Sequence, residues 1–219
     1  MSRRMRVLVA ASALFFAVTA GIPSPALAGT YRRDVYRSAL YERQVDNRTC
    51  VAASTAMMLN FIAGRDLNLP QLEILRYAQP RDALDDSVQR GTDGLGWAKA
   101  ATYFAPRSGD ATTYRVESYA TEMGALHRAA HQIAKLGKAV GLMTAHGRHA
   151  VVMTGFEATA NPNDGPFTLL RVWISDPYGY WHRGYDAKAS PLETYLELDA
   201  TAYWDARWYG RYVIVVPQD

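Results

Sequence analysis

The thirteen residues from 51 to 63 carry no charged side chain, and this run constrains the fold more than any other segment. Apolar residues fall on nearly every side of a helix drawn through the run, and Gly64 follows as a helix stop. A helix that is apolar all round must be enclosed by other elements. The run therefore predicts a central buried helix, and the rest of the chain has to supply the layers that cover it.

Helical spacing dominates the first part of the chain, and short β-branched and aromatic runs dominate the last part. Further helices are predicted over residues 69–77, capped by Asn68, and over 95–104 and 122–136. Strands are predicted over 139–144, 149–156, 168–175 and 212–216. This order predicts an α+β fold in which an N-terminal helical half packs on a C-terminal antiparallel β-sheet.

The N-terminus has the pattern of a secretory signal peptide. Three arginines precede an apolar run over residues 7–22, and small residues at 26–28 form a cleavage site. We therefore expect residues 1–28 to be a signal peptide and residues 29–219 to form one exported domain, secreted or held in the cell envelope. The apolar run is shorter than the ~20 residues of a membrane-spanning helix, so we expect no stable membrane span after cleavage.

The charge balance argues against a nucleic-acid partner. The chain has 24 basic and 21 acidic residues, but three arginines lie in the first 28 residues, which leaves 21 of each sign in 29–219. A domain without net positive charge lacks the electrostatic surface typical of nucleic-acid binding. We expect a peptide or protein substrate and no cofactor or metal; the sequence leaves the oligomeric state open.

Cys50 is the single cysteine of the chain, so it can form no disulfide within it. Such a residue is either a small buried apolar side chain or a reactive nucleophile. Thr49 is in position to cap the central helix, which would place Cys50 in the first helical turn. The free amides and the helix dipole at that end favour an anion, and therefore a thiolate.

Two predicted strands bring a histidine and an aspartate to one edge of the sheet. The segments 149–156 and 168–176 flank a turn-rich loop, which predicts an antiparallel pair. If His149 faces Asp176, one face of the pair is wholly apolar and the carboxylate reaches the imidazole. The other pairs on that face are then Val151 with Ile174, Met153 with Val172 and Gly155 with Leu170. In the alternative interpretation, Asp176 and Pro177 only begin a turn.

Other histidines and aromatic residues offer competing sites. His146 is a rival base, but we expect it in the loop before the strand that His149 begins. His127 and His131 lie one helical turn apart, where a metal site or a partly exposed helix face is possible, and the missing third ligand favours the latter. Aromatic residues between 178 and 212 either line a substrate groove or cover a core.

A cysteine at a helix start, a histidine at a strand start and an aspartate at a neighbouring strand end are the parts of a nucleophile, base and orienting group. The segments that carry them are Gln44-Val-Asp-Asn-Arg-Thr-Cys50, His149-Ala-Val-Val-Met-Thr-Gly155 and Ile174-Ser-Asp-Pro177. In order and spacing these segments resemble cysteine peptidase family thirty-nine, the double-glycine leader peptidases and their stand-alone relatives.

The resemblance implies a papain-like cysteine peptidase fold and assigns four roles. Cys50 would attack a peptide carbonyl as thiolate, and His149 would hold the proton and return it to the leaving amine. Asp176 would orient the imidazole, and Gln44 would donate to the oxyanion together with the Cys50 amide. The expected function is peptide hydrolysis by an exported cysteine peptidase.

Val51 departs from the family pattern, because relatives usually have glycine directly after the nucleophile. A β-branched side chain beside the thiol would narrow the site, which leaves open an inert secreted peptide-binding module on the same scaffold. A thiol acyltransferase, similar in chemistry to a transglutaminase, is a further alternative, because the same triad can pass an acyl group to an amine.

Overall fold

In the part of the chain that the structure describes, seven strands form one antiparallel sheet, and helices cover it on both faces. The computed structural model describes residues 29–84, 91–179, 181–188, 208 and 210–218. The strands are β1 (Tyr31–Asp34), β2 (Tyr114–Tyr119), β3 (Val140–Thr144), β4 (His149–Ala158), β5 (Leu169–Asp176), β6 (Trp181–Asp186) and β7 (Tyr212–Pro217). The helices are α1 (Cys50–Ala63), α2 (Gln71–Ala78), α3 (Gly94–Phe104) and α4 (Glu122–Leu136). The predicted signal peptide, residues 1–28, lies outside the described residues.

Helix α1 is the central buried helix that the sequence predicts. Twelve of its fourteen residues are buried, and Gly64 ends it in the left-handed conformation with φ 67°. Thr49 occupies the N-cap position, but its side chain does not cap the helix. Its hydroxyl instead accepts hydrogen bonds from the amides of Val45 and Asp46, both at 3.1 Å. The capping role predicted for Thr49 is therefore wrong, since this hydroxyl shapes the loop before the helix.

The other helices are confirmed, with one corrected boundary. Asn68 does not cap α2; its backbone is left-handed, with φ 51°, and the helix begins after Pro70. A proline at that point presets the backbone angle, so no side-chain cap is required. Asp93 caps α3 through a hydrogen bond from the Gly96 amide at 2.9 Å. Helix α4 has the predicted bounds. No helix among the described residues is both long and apolar enough to cross a membrane.

The sheet runs in the order β2-β7-β3-β4-β5-β6, and β1 pairs with the end of β4 beyond β3. The four predicted strands are all present, as β3, β4, β5 and β7. Strands β1, β2 and β6 were not predicted. Each is short or carries charged residues on one side, which is typical of strands at the margin of a sheet and leaves no long apolar pattern.

Alternating side chains of the sheet build two separate cores. Helices α1, α2 and α3 pack on one face, against residues such as Val152 and Val215. Helix α4 packs on the opposite face, against Val151, Met153 and Ile214. The α+β class is confirmed, but the helices do not all lie in one half as their order along the chain suggested. The apolar stripe of α4 needs a sheet face of its own.

The predicted register of β4 and β5 is wrong by two residues at Met153 and by three at Gly155. Val152 pairs with Ser175 and Met153 with Ile174, and an irregularity follows before Gly155 pairs with Trp173. A slip of two residues leaves every side chain on the same face, so the apolar pattern cannot detect it. Asp176 therefore lies closer to the level of Val151 than to that of His149.

The contact between Trp97 of α3 and Gly141 of β3 yields a prediction about packing between the helices and the sheet. A Cβ atom at residue 141 would lie 2.5 Å from the buried Trp97 ring. We expect Gly141→Ala to lower the free energy of unfolding by about 1–3 kcal/mol, as measured in urea. In a Trp97→Phe background the same change should cost clearly less, because the clashing ring atoms are gone. Equal costs in both backgrounds would contradict this account.

Candidate active site

Cys50 begins α1, at the helix end where backbone amides lack intrahelical partners. Its thiol is free, and the residue is 8% exposed. The positive end of the helix dipole therefore lies beside this residue. The buried helix thus presents one small nucleophile at its end, close to the surface.

His149 begins β4 and contacts both other members of the predicted triad. Its Nε2 atom lies 2.7 Å from Oδ1 of Asp176, close enough for the ring N–H to donate to the carboxylate. The imidazole also forms a hydrogen bond with Cys50, which leaves Nδ1 to face the sulfur. The ring therefore lies between a carboxylate and a thiol.

Burial disfavours a charged imidazole and by itself lowers the pKa of His149. The hydrogen bonds and the negative charges of Asp176 and Cys50 outweigh burial and raise this pKa from 6.5 to about 9. His149 is consequently protonated at neutral pH when its two neighbours carry charge. Such an imidazolium places a positive charge beside the Cys50 sulfur.

Asp176 ends β5 and is fixed by its own surroundings. Its Oδ1 atom also accepts the Tyr178 amide at 2.8 Å, and its carbonyl accepts the Tyr41 hydroxyl at 2.6 Å. The backbone amide of Gln44 donates to the Pro177 carbonyl at 2.9 Å. The segment from 41 to 44 thus binds the turn after Asp176, and sequence analysis had no periodic signal for this contact.

Gln44 lies beside the triad, as its place in the sequence suggested. Its Nε2 atom donates to the Asp46 carbonyl at 2.7 Å, while its buried Oε1 atom has no hydrogen-bond partner. An amide nitrogen carries two hydrogens, so one N–H remains after the bond to Asp46. That remaining donor is the group required for an oxyanion.

An open pocket of about 340 Å³ adjoins the triad. It is lined by Gln44, Asn47, Ala145, Arg148, His149, Asp176 and Tyr178. Tyr178 is 69% exposed, and its ring stands nearly perpendicular to that of His149. Val51, in contrast, is 1% exposed and packs in the core, so it does not narrow this pocket. The other aromatic candidates Tyr180, Tyr203, Trp204 and Tyr209 lie outside the described residues.

The rival histidines lie elsewhere. Ala145 and His146 both have positive φ, 50° and 58°, in the turn that joins β3 to β4, and His146 does not line the pocket. His127 stacks on Phe167 with ring centroids 4.6 Å apart. In the described part of the chain no three potential ligands are grouped to hold a metal ion.

The raised pKa of His149 predicts how stability depends on pH. A raised pKa stabilises the folded state fully below pH 6.5, and this contribution is lost as the pH rises through about 9. We expect Asp176→Asn to reduce the free energy of unfolding more below pH 6.5 than above about 9, as measured by urea titration. The exposed Asp164→Asn serves as control and should cost the same at both. A pH-independent cost for Asp176→Asn would contradict the pairing.

Comparison with known proteins agrees with this geometry. The model of the Peptidase C39-like family matches residues 37–207, a range that contains Gln44, Cys50, His149 and Asp176. No curated protein matches the chain significantly. The match covers most of the chain, and the family's papain-like fold agrees with the observed α+β arrangement, which supports a cysteine peptidase-type function at the level of the family. The chain therefore belongs to the Peptidase C39-like family.

Proposed function

We propose that this protein is an exported cysteine peptidase that hydrolyses peptide bonds through Cys50, His149 and Asp176. The observation that carries the proposal is the placement of one imidazole between a carboxylate at 2.7 Å and the single thiol of the chain. A nucleophile, a base and a group that orients the base are the minimum set for acyl transfer to sulfur.

In the proposed reaction, the Cys50 thiolate attacks the scissile carbonyl and forms a tetrahedral oxyanion. His149 then gives its proton to the leaving amine, and the acyl group stays on sulfur. In the second half, His149 takes a proton from water and the hydroxyl attacks the thioester carbonyl. The C–S bond then breaks, the carboxylic acid leaves, and the thiolate and the protonated imidazole are restored. Asp176 keeps Nε2 of the ring engaged, so that Nδ1 faces the sulfur throughout.

The oxyanion would be stabilised by the second N–H of Gln44 and by the backbone amide of Cys50. Both groups are fixed before substrate arrives, because Gln44 is held by the Asp46 carbonyl and residue 50 by the helix. Donors that need no reorganisation are the most effective way to stabilise developing charge.

A peptide or protein outside the cytoplasm is the proposed substrate. The open pocket beside His149 presents Tyr178, Asn47 and Arg148, a mixture suited to a peptide backbone and side chain. The N-terminal sequence 1–28 supports export, and the balanced charge of residues 29–219 supports a peptide rather than a nucleic acid. Val51 is buried, which removes the reason to prefer an inert binding module.

Removal of the nucleophile or the base tests the assignment. We expect Cys50→Ala and His149→Ala each to lower kcat/KM for peptide cleavage by about four to six orders of magnitude, because the triad acts as a unit. Both variants should keep the circular dichroism spectrum of the wild type. His146→Ala is the matched control, and it should cleave at nearly the wild-type rate. Full loss in His146→Ala together with full activity in His149→Ala would reverse the two roles.

A second prediction concerns Gln44. If its side-chain amide donates to the oxyanion, Gln44→Ala should lower kcat by about 10²–10³-fold with little change in KM. Gln44→Glu has the same shape without an N–H donor, so it should lose at least as much. Steady-state kinetics on a fluorogenic peptide measures both variants. An unchanged kcat in Gln44→Ala would assign the residue to the surface of the pocket alone.

A further inference from the structure

A second histidine lies at the centre of a partly buried polar cluster beside β5. His182 of β6 donates from Nε2 to Oδ2 of Asp34 at 3.2 Å, and its Nδ1 atom lies 3.2 Å from Oγ of Ser175. Tyr36 stacks on the imidazole with ring centroids 3.6 Å apart and donates its amide to Asp34 at 3.0 Å. Asp34 also interacts with the hydroxyl of Thr154. We call these five residues the His182 cluster.

The His182 cluster resembles a serine, histidine and aspartate triad in its connectivity, but it is closed to substrate. Ser175 is 0% exposed, and its neighbours on both sides are paired strands. No peptide carbonyl can reach a hydroxyl in that position. The cluster therefore has no nucleophilic role, and its three linked side chains need another explanation.

Asp34 is the charged member of the cluster. Burial tends to raise the pKa of its carboxyl, but the hydrogen bonds from His182 and the Tyr36 amide lower it below its usual value. The carboxylate thus stays ionised and holds Nε2–H of His182. This leaves Nδ1 to accept the Ser175 hydroxyl, so every polar atom along the chain from Asp34 to Ser175 has a partner.

The cluster contacts every element that carries a residue of the proposed triad. Thr154 belongs to β4, which begins with His149, and Ser175 directly precedes Asp176 on β5. Tyr36 packs edge-on against Phe61 of α1, the helix that begins with Cys50. In the sheet, Ser175 pairs with His182. The His182 cluster thus joins α1, β4 and β5 through Asp34 of β1 and His182 of β6.

We propose that His182, held by Asp34, is a positioning residue for the triad: its bond to Ser175 fixes the end of β5 and so the Asp176 carboxylate against His149. This inference rests on the proposed function. The register shows why the position of the β5 end matters. Asp176 does not lie directly opposite His149 and reaches it only from the end of its strand. The Tyr41 and Gln44 bonds hold the turn beyond Asp176, and the contact of His182 with Ser175 holds the residue before it.

The test measures both catalysis and the titration of His149 itself. We expect Ser175→Ala, Asp34→Asn and His182→Ala each to lower kcat by about tenfold to hundredfold, with KM unchanged. A loss of this size is expected when a catalytic group is displaced by a fraction of an ångström. In histidine NMR spectra, the His149 midpoint should move from about 9 toward 6.5 in the same variants. His182→Gln should recover part of the loss, because its amide can still donate to Asp34.

Asp186→Asn is the matched control. It is an acid-to-amide change like Asp34→Asn, and residue 186 pairs with Arg171 at the far end of the same β5 and β6 ladder. It should leave both kcat and the His149 midpoint unchanged. If Ser175→Ala, the smallest change, keeps the wild-type midpoint and kcat while the protein is folded, the proposal is wrong.

The NMR readout separates this proposal from the proposed function. The measurement needs no substrate. A wild type that cleaves no peptide would refute the peptidase assignment, but the titration midpoint of His149 would still report on the position of Asp176. If the midpoint moves in Ser175→Ala but not in Asp186→Asn, His182 positions Asp176 whatever reaction the site performs. If the midpoint moves equally in both, general loosening of the sheet explains the effect, and the positioning role is overturned.

Discussion

The hydrogen bond between His149 and Asp176 is the contact on which the site depends. Burial alone would strip the imidazole of its proton, and an unprotonated ring could not hold a thiolate beside it. The carboxylate at 2.7 Å, together with Cys50, outweighs burial, and the pKa of His149 rises to about 9. In the proposed function, this contact distinguishes Cys50 from a small apolar side chain at the start of a buried helix.

The fold supplies three rigid supports for this contact. Helix α1 is enclosed by the other elements, so its first residue cannot shift without disturbing the core. Strand β4 lies between β3 and β5, pairs His149 with Thr144 of β3, and is held by packing on both faces. The turn after β5 is bound by Tyr41 and Gln44 from the segment that leads into α1. The same segment therefore links the carboxylate and the nucleophile.

Glycine at 155 makes part of this arrangement possible. A Cβ atom there would lie 2.6 Å from the Arg33 carbonyl, so only glycine lets β1 pair against β4 at that level. The close approach carries Asp34 into reach of His182. The glycine at 155 in β4 therefore permits the contact between Asp34 and His182, and His182 in turn contacts Ser175 near the end of β5, two strands away from β1.

Much of this arrangement could be predicted from the sequence, because the strongest signals were periodic. The uncharged run of α1 and the alternating runs of β3, β4, β5 and β7 gave the class of fold and the ends at which Cys50, His149 and Asp176 lie. The predicted meeting of His149 and Asp176 agrees with the geometry, although the register behind it was wrong by two residues at Met153. Period-two patterns cannot distinguish such a slip.

Other features left no periodic trace. The His182 cluster joins residues 148 positions apart, and β1 and β6 are short strands with charged residues, so nothing local marks Asp34 and His182 as partners. The Thr49 hydroxyl also escaped prediction, since a hydroxyl before a helix usually caps it, whereas here it organises the preceding loop. Contacts between residues that are distant in sequence and meet only in the folded protein leave no local pattern from which they could be predicted.

The most direct test of the central claim is the rate at which iodoacetamide alkylates Cys50 at pH 6.5 in the wild type and in His149→Ala. Cys50 is the single cysteine, so the reagent reports on one site. An isolated thiol is about 1% thiolate at that pH, so an imidazolium that holds the thiolate should make the wild type react up to about a hundredfold faster than the variant. Equal rates in the two folded proteins would show that residue 149 does not activate the sulfur, and the account of this site would fail.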